Sequence, residues 1–177
     1  KGSKRTRMSA GERREQLIEV ARSLFATKGF DGTSIEEIAS RAKVSKPVVY
    51  EHFGGKEGLY AVIVDRELTT ISTTITRELG SLSSASITVA RTALALLTYI
   101  EASPDGFRIL SSGNDRASGT YSTFLADVAI QVSGLLAAQF SDHGIDPRPA
   151  PLYAQMLVGI VAMPSQWWLE NRTMSKE

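Results

Sequence analysis

Residues 33–56, TSIEEIASRAKVSKPVVYEHFGGK, carry two helix-start signals in quick succession. Ser34 stands three residues before Glu37, the spacing of a reciprocal capping box. Ile35, Ile38, Ala39 and Ala42 follow at helical spacing. Ala42-Lys43-Val44 interrupts that pattern, and Ser45 offers a fresh N-cap. Pro47 suits the first turn of a new helix, where its missing N–H has no partner to lose. Gly54-Gly55 ends that helix just after Phe53. Two short helices joined by a tight turn are therefore predicted. A helix this short does not hold itself together in water, so something else must justify it. Insertion into a DNA major groove is the leading use.

The rest of the chain reads as helices throughout. Ser9 and Glu12 form another capping-box spacing, and Leu17, Ala21, Leu24 and Phe25 give a helix over residues 10–27 one buried stripe. With Phe30 as a loop anchor, this completes a three-helix head over residues 1–55. A long connecting helix follows over 56–79, rich in threonine in its second half. The body, 80–177, is predicted to contain helices over 85–102, 107–110, 120–141 and 151–171, with Ser103-Pro104-Asp105-Gly106 as a break. The last of these is apolar on nearly every side and holds Pro164, which predicts a kink. A helix of that kind must be covered all round. Either it is the central helix of a monomer, or a second copy of the chain packs against it in a four-helix dimer interface. Ser175-Lys176-Glu177 reads as the start of a further helix, so a C-terminal element is expected to follow. No alternation long enough for a sheet occurs, and the predicted class is all-α.

Composition narrows the function. The chain of 177 residues has no cysteine, which excludes disulfides and thiolate metal sites. No apolar run is read as reaching the roughly 18–20 residues that span a bilayer, and no signal-peptide pattern opens the chain. A cytoplasmic protein without membrane contact is expected. Residues 1–60 hold 12 Lys/Arg against 8 Asp/Glu, while 61–177 hold 8 against 11. A basic first third fits a polyanion partner for the head and a different partner for the body. The two histidines, His52 and His143, lie in no metal or catalytic motif. Neither catalysis nor a cofactor is expected.

The second short helix carries the functional groups. Lys46, Pro47 and Tyr50 lie in its first two turns, the part that reaches base edges in helix-turn-helix docking. Lysine donates to guanine acceptors, and a proline ring packs on a thymine methyl. Thr33, Tyr50, His52 and Lys56 suit phosphates, which position a protein without reading sequence. Val49 and Phe53 face back into the head. Tyr50 as a core aromatic and the lysines as a solvated face remain the plain alternative for each residue singly.

The run Thr33, Ile38-Ala39, Val44-Ser45-Lys46, Tyr50-x-His52-Phe53, and Lys56-Glu57 followed by Leu59 resembles the DNA-binding signature of the TetR/AcrR family of bacterial transcriptional regulators. The resemblance spans residues 14–60; beyond it only the architecture is similar. It implies a homodimer with an N-terminal helix-turn-helix, an all-helical effector-binding and dimerisation body, and a repressor that leaves a palindromic double-stranded operator when a small ligand binds. It also implies DNA contacts at Thr33, Ser45, Lys46, Pro47, Tyr50, His52 and Lys56. Val48 departs from the small polar residue that many members carry there, replacing a hydrogen bond with methyl contact. The implied mechanism is a distance switch. Two reading helices must sit roughly 34–36 Å apart to enter successive grooves, and a ligand beside the connecting helix would swing them out of register.

Candidate pocket residues in the body are Tyr99, Phe107, Phe124, Met156, Met163 and Trp167. Aromatic and flexible apolar groups of this kind suit a hydrophobic effector, although each equally fits plain core. Arg91 and Arg108 are candidates to meet an anionic head group. The rival function is a ligand-binding or scaffold protein whose head docks another protein.

Overall fold

The computed structural model describes residues 8–80, 85–112 and 117–171. The expected helix start at 175–177 falls outside them, and so does the middle of a polar loop expected over 111–119, whose ends are instead helical: Ser111 closes α6 and Ala117 opens α7. Among the described residues there are eight helices and no strand. They are α1 (Ala10–Lys28), α2 (Ile35–Ala42), α3 (Lys46–Phe53), α4 (Lys56–Leu79), α5 (Ala85–Ala102), α6 (Pro104–Ser111), α7 (Ala117–Asp142) and α8 (Ala150–Glu170). The chain forms two compact units, Lys1–Asp65 and Arg66–Glu177, divided within α4.

The first unit is assembled by local signals and one aromatic cluster. Ser9 and Glu12 close the capping box of α1, the Ser9 N–H donating to Glu12 Oε2 at 2.7 Å. That bond, above all, holds the Glu12 carboxyl below its ordinary range. Ser34 caps α2 through the Glu37 N–H at 3.1 Å, but the expected reciprocal bond does not form, because the Glu37 carboxylate accepts from Lys28 Nζ at 2.7 Å instead. Phe25 is buried, with its ring stacked on Phe30 at 5.9 Å and edge-on to Tyr60 at 5.0 Å. Leu17, Leu24, Ile38, Val49 and Leu59 complete the core.

The second unit begins within α4. Its core includes Ile71, Ile100, Phe107, Ile109 and Leu110. The expected break at Ser103-Pro104-Asp105-Gly106 does end α5 at Ala102, but Pro104 also opens α6, three residues before the expected start at Phe107. Proline's fixed φ is already helical and its missing N–H is harmless in the first turn. Gly106 then lets α6 approach α4. A Cβ there would overlap the Glu67 carboxylate and the Ser103 hydroxyl. Glu67 is buried, accepting at 2.8 Å from Tyr99 Oη and at 3.1 Å from Ser103 Oγ. Helix propensity alone would make Gly106→Ala stabilising by about 1 kcal/mol. Expelling a buried, hydrogen-bonded carboxylate costs more, and a net loss of about 2–4 kcal/mol is expected. Urea denaturation of the variant measures it, and a gain in stability would contradict the packing described.

Helices α7 and α8 form the most extensively packed pair. Within residues 119–142 of α7 an 18-residue stretch has a mean hydropathy of 1.4, so the helix is long and apolar enough to cross a membrane by length and composition. This corrects the expectation that no such run exists. Only 17% of that window is buried within the chain. Its apolarity serves a cavity wall, described below, and a solvent-facing side that carries Ile130, 71% exposed. Pro164 lies inside α8, where its missing N–H leaves the Ile160 carbonyl without a helical partner.

Candidate nucleic-acid interface

The turn between α2 and α3 is set by Lys43, which has φ 56° and ψ 44° in the left-handed region. Its N–H bonds back to Ser40 O at 3.1 Å, and the Val44 N–H reaches Ala39 O at 2.9 Å. These two bonds satisfy the last carbonyls of α2 and turn the chain into α3. A side chain in this conformation costs about 1 kcal/mol or more, so Lys43→Gly is expected to raise stability by about 0.5–1 kcal/mol. A denaturation midpoint that falls would refute that assignment. At the far end of α3, Gly54 takes φ 71° and caps the helix onto Tyr50 O at 2.8 Å.

One face of α3 is sealed and the other is open. Val49 is fully buried, and Val48, His52 and Phe53 are half-buried. Arg14 lies 4.7 Å from the Phe53 ring centre, which anchors the end of α3 to α1. The open face carries Lys46, Pro47, Tyr50 and Glu51, with Tyr50 53% exposed although it is a large aromatic. Ser45 is exposed and makes no side-chain capping bond, so its hydroxyl is not committed to the helix it precedes. The Lys46 ammonium pairs with Glu36 and holds that carboxyl below its ordinary range. Both side chains are more than half exposed. Such a pair is weak in water and readily yields to a phosphate or a base edge.

Ser45, Lys46, Pro47 and Tyr50 are thus gathered at one exposed end of α3, with His52 half-buried beside Phe53 at a ring distance of 6.0 Å. Two expected contacts are placed differently. Thr33 is only 2% exposed: its hydroxyl donates to Gly29 O at 2.8 Å and its N–H to Phe30 O at 3.3 Å. It locks the α1–α2 loop and has no donor left for a phosphate. Lys56 donates to Phe30 O and Thr33 O, each at 3.0 Å, and sits 4.2 Å from the Phe30 ring centre. Two of its three protons are used inside the unit, so it acts first as a clasp on that loop. Sequence reading missed Glu51, which stands one turn beyond Pro47 on the open face and can accept from a cytosine amino group. The i, i+4 spacing from Pro47 was the available signal.

In the second unit, α4, α5, α7 and α8 wall a cavity with about 1000 Å³ between its atoms, counting solvent at its mouth. Of the six expected pocket residues only Phe124 lines it. Phe107 is fully buried core, edge-on to Tyr99 and Tyr121 at 6.4 and 6.0 Å. Tyr99 is tied to Glu67 and borders a separate groove with Arg77, Glu78 and Arg91. Met156, Met163 and Trp167 are 51%, 70% and 51% exposed on the outer face of α8. They were misplaced because an apolar helix gives no sequence cue to which side faces a cavity. Arg91 is bonded to Glu78 at 3.0 Å, and Arg108 pairs with Asp105 at 3.9 Å, so neither enters the cavity wall.

Comparison with known proteins agrees with this geometry. Residues 17–63 match the model for bacterial regulatory proteins of the tetR family. The chain is 29% identical to the HTH-type transcriptional activator FasR of Mycolicibacterium smegmatis over 93% of its own length and 76% of that protein. It is 38% identical to the HTH-type transcriptional repressor Rv3405c of Mycobacterium tuberculosis, over 40% of this chain and only 36% of that one. A TetR-like transcriptional regulator from Rhodococcus sp. RHA1 shares the fold, with a TM-score of 0.80 at 20% identity over 96% of this chain and 90% of that one. A capped helix-turn-helix with an open reading face, the family match over that same segment and a shared all-helical fold lead to one conclusion: residues 17–63 form a DNA-binding segment of the kind found in bacterial regulatory proteins of the tetR family, and the chain is similar to transcriptional regulators of that family over most of its length.

Proposed function

We propose that the chain is a ligand-responsive, cytoplasmic repressor that binds a palindromic operator as a homodimer and is released by a small hydrophobic effector. The observation that carries this reading is the cavity in the second unit, whose wall is largely aliphatic and aromatic, as sites for apolar ligands are. Ile71, Ile75 and Leu79 of α4 belong to that wall, while Lys56 in the first turn of the same helix clasps the loop before α2. Helix α4 is therefore the connecting element through which an effector would act. An effector that prefers the DNA-incompetent state shifts the population away from the roughly 34–36 Å spacing of reading helices that successive grooves require.

The homodimer reading is supported by α8. Leu152, Met156, Ile160, Met163 and Trp167 recur at steps of three and four residues and are all more than half exposed. A contiguous apolar stripe of this kind marks an interaction surface, and an isologous helix-pair interface covers it with its own counterpart. Ser45, Lys46, Pro47, Tyr50 and His52 are the proposed DNA contacts, with Lys46 and Pro47 reading bases.

Selection of bound sequences from random duplexes tests the reading, followed by release assays with hydrophobic compounds. A palindrome with half-sites about one turn apart, and its release by a compound that binds the cavity, are expected. An asymmetric site, or a ligand that binds tightly without altering operator affinity, would overturn it.

A further inference from the structure

Among the described residues, nineteen form the cavity wall, and none of them is charged. Four are polar: Thr88, Thr92, Tyr121 and Gln139. Two of these are unusual. Thr92 and Tyr121 are 9% and 5% exposed, and both hydroxyl oxygens are sealed from solvent without a hydrogen-bond partner in the protein. Burial pushes the Tyr121 phenol up to about 12, so it stays a protonated donor at any physiological pH. A buried hydroxyl without a partner is destabilising, and native proteins give nearly all such groups a partner.

The wall also constrains shape and charge. On α7 it runs from Tyr121 to Gln139, about 27 Å of helix at 1.5 Å per residue. A wall drawn out along a helix fits a chain better than a compact ring system. A carboxylate placed there would be desolvated with no cation among the described wall residues to meet it, which is strongly unfavourable. Arg77 and Arg91 do not supply one, since they line the separate groove and are bonded to Glu78.

We propose that this cavity takes an elongated, electrically neutral molecule, apolar along most of its length, whose single uncharged acceptor, an ester, thioester or amide carbonyl, receives the hydroxyls of Thr92 and Tyr121. The inference rests on reading the cavity as the effector site. It goes further by excluding free carboxylates and by assigning the polar end of the ligand to two residues. Thr92 and Tyr121 would discriminate as a hydrogen-bonding site does, disfavouring an analogue that lacks the acceptor.

The test uses three probes of equal chain length, dodecane, methyl dodecanoate and dodecanoate at pH 8, each below its aggregation concentration, with affinities measured by displacement of a fluorescent hydrophobic dye. The ester is expected to bind about 5–150-fold more tightly than the alkane, the combined range of two neutral hydrogen bonds. Dodecanoate is expected to bind at least about 100-fold more weakly than the ester. Tyr121→Phe and Thr92→Val, both nearly isosteric, should each reduce the ester's advantage over the alkane, with an unchanged circular dichroism spectrum and retained alkane binding reporting that the cavity is intact. If one variant loses alkane binding, the other decides. Dodecanoate binding as tightly as the ester would overturn the proposal. So would an ester preference that survives both substitutions, or equal binding of ester and alkane, the result expected if trapped water satisfies the hydroxyls. Failure of all three probes would overturn both this inference and the effector reading. Ester preference without operator release would remove the regulatory role and leave the ligand chemistry standing.

Discussion

Phe25→Ala is expected to unfold the DNA-binding unit under conditions where the remainder of the chain stays folded. The ring is 2% exposed, stacked on Phe30 and edge-on to Tyr60. Truncating a fully buried phenylalanine costs about 3–5 kcal/mol. A unit of about 65 residues rarely has more than about 3–5 kcal/mol in total, so the loss matches the whole reserve. Helix α3, eight residues long, has no independent stability, and operator binding should fall by more than about 100-fold as its scaffold melts. Thermal unfolding followed by circular dichroism should show one transition displaced to low temperature and another nearly unchanged. Phe25→Leu keeps most of the volume and is expected to lose no more than about 1.5 kcal/mol while retaining DNA binding. A single cooperative transition, or full DNA affinity in the alanine variant, would contradict this account.

The second large effect concerns the open face of α3, where Lys46→Ala and Tyr50→Phe should differ in kind. Lys46 is assigned to a base edge. Losing it should lower specific affinity by about 10–100-fold per reading helix and relax selectivity at one operator position. The same change frees Glu36 from its cation, placing an unpaired carboxylate on the same surface. Tyr50→Phe removes only an exposed hydroxyl, so stability should be unaffected. If that hydroxyl holds a phosphate, specific and generic DNA should weaken by the same factor. Titrations over a range of salt concentrations separate the two roles. Equal loss on every sequence for Lys46→Ala would move it from base reading to backbone positioning.

Much of the head was legible because its signals are local. Ser9 with Glu12, Ser34 with Glu37, Pro47 in the first turn and Gly54 after the last each act within about four residues. Capping chemistry of that range can be read directly from sequence. At Ser103-Pro104-Asp105-Gly106 the end of α5 is legible but the start of α6 is not, because the same residues suit a turn and a helix start. The choice depended on whether Phe107, Ile109 and Leu110 had a core to enter.

Function within the site divides along the same line. The sequence by itself placed Lys46, Pro47 and Tyr50 side by side on the first two turns of α3, since positions i, i+1 and i+4 are helical neighbours, and the structure leaves all three exposed. Sequence alone could not determine that Thr33 turns inward or that Lys56 is committed to two carbonyl oxygens, because those partners come from the loop before α2. Nor could it separate Phe124, on the cavity, from Met156, Met163 and Trp167, on the outside. All four are apolar residues of apolar helices, and hydrophobicity has no direction. Only tertiary packing decided which side of α7 and α8 faced a cavity, and with it that Thr92 and Tyr121 would be buried on its wall without a partner.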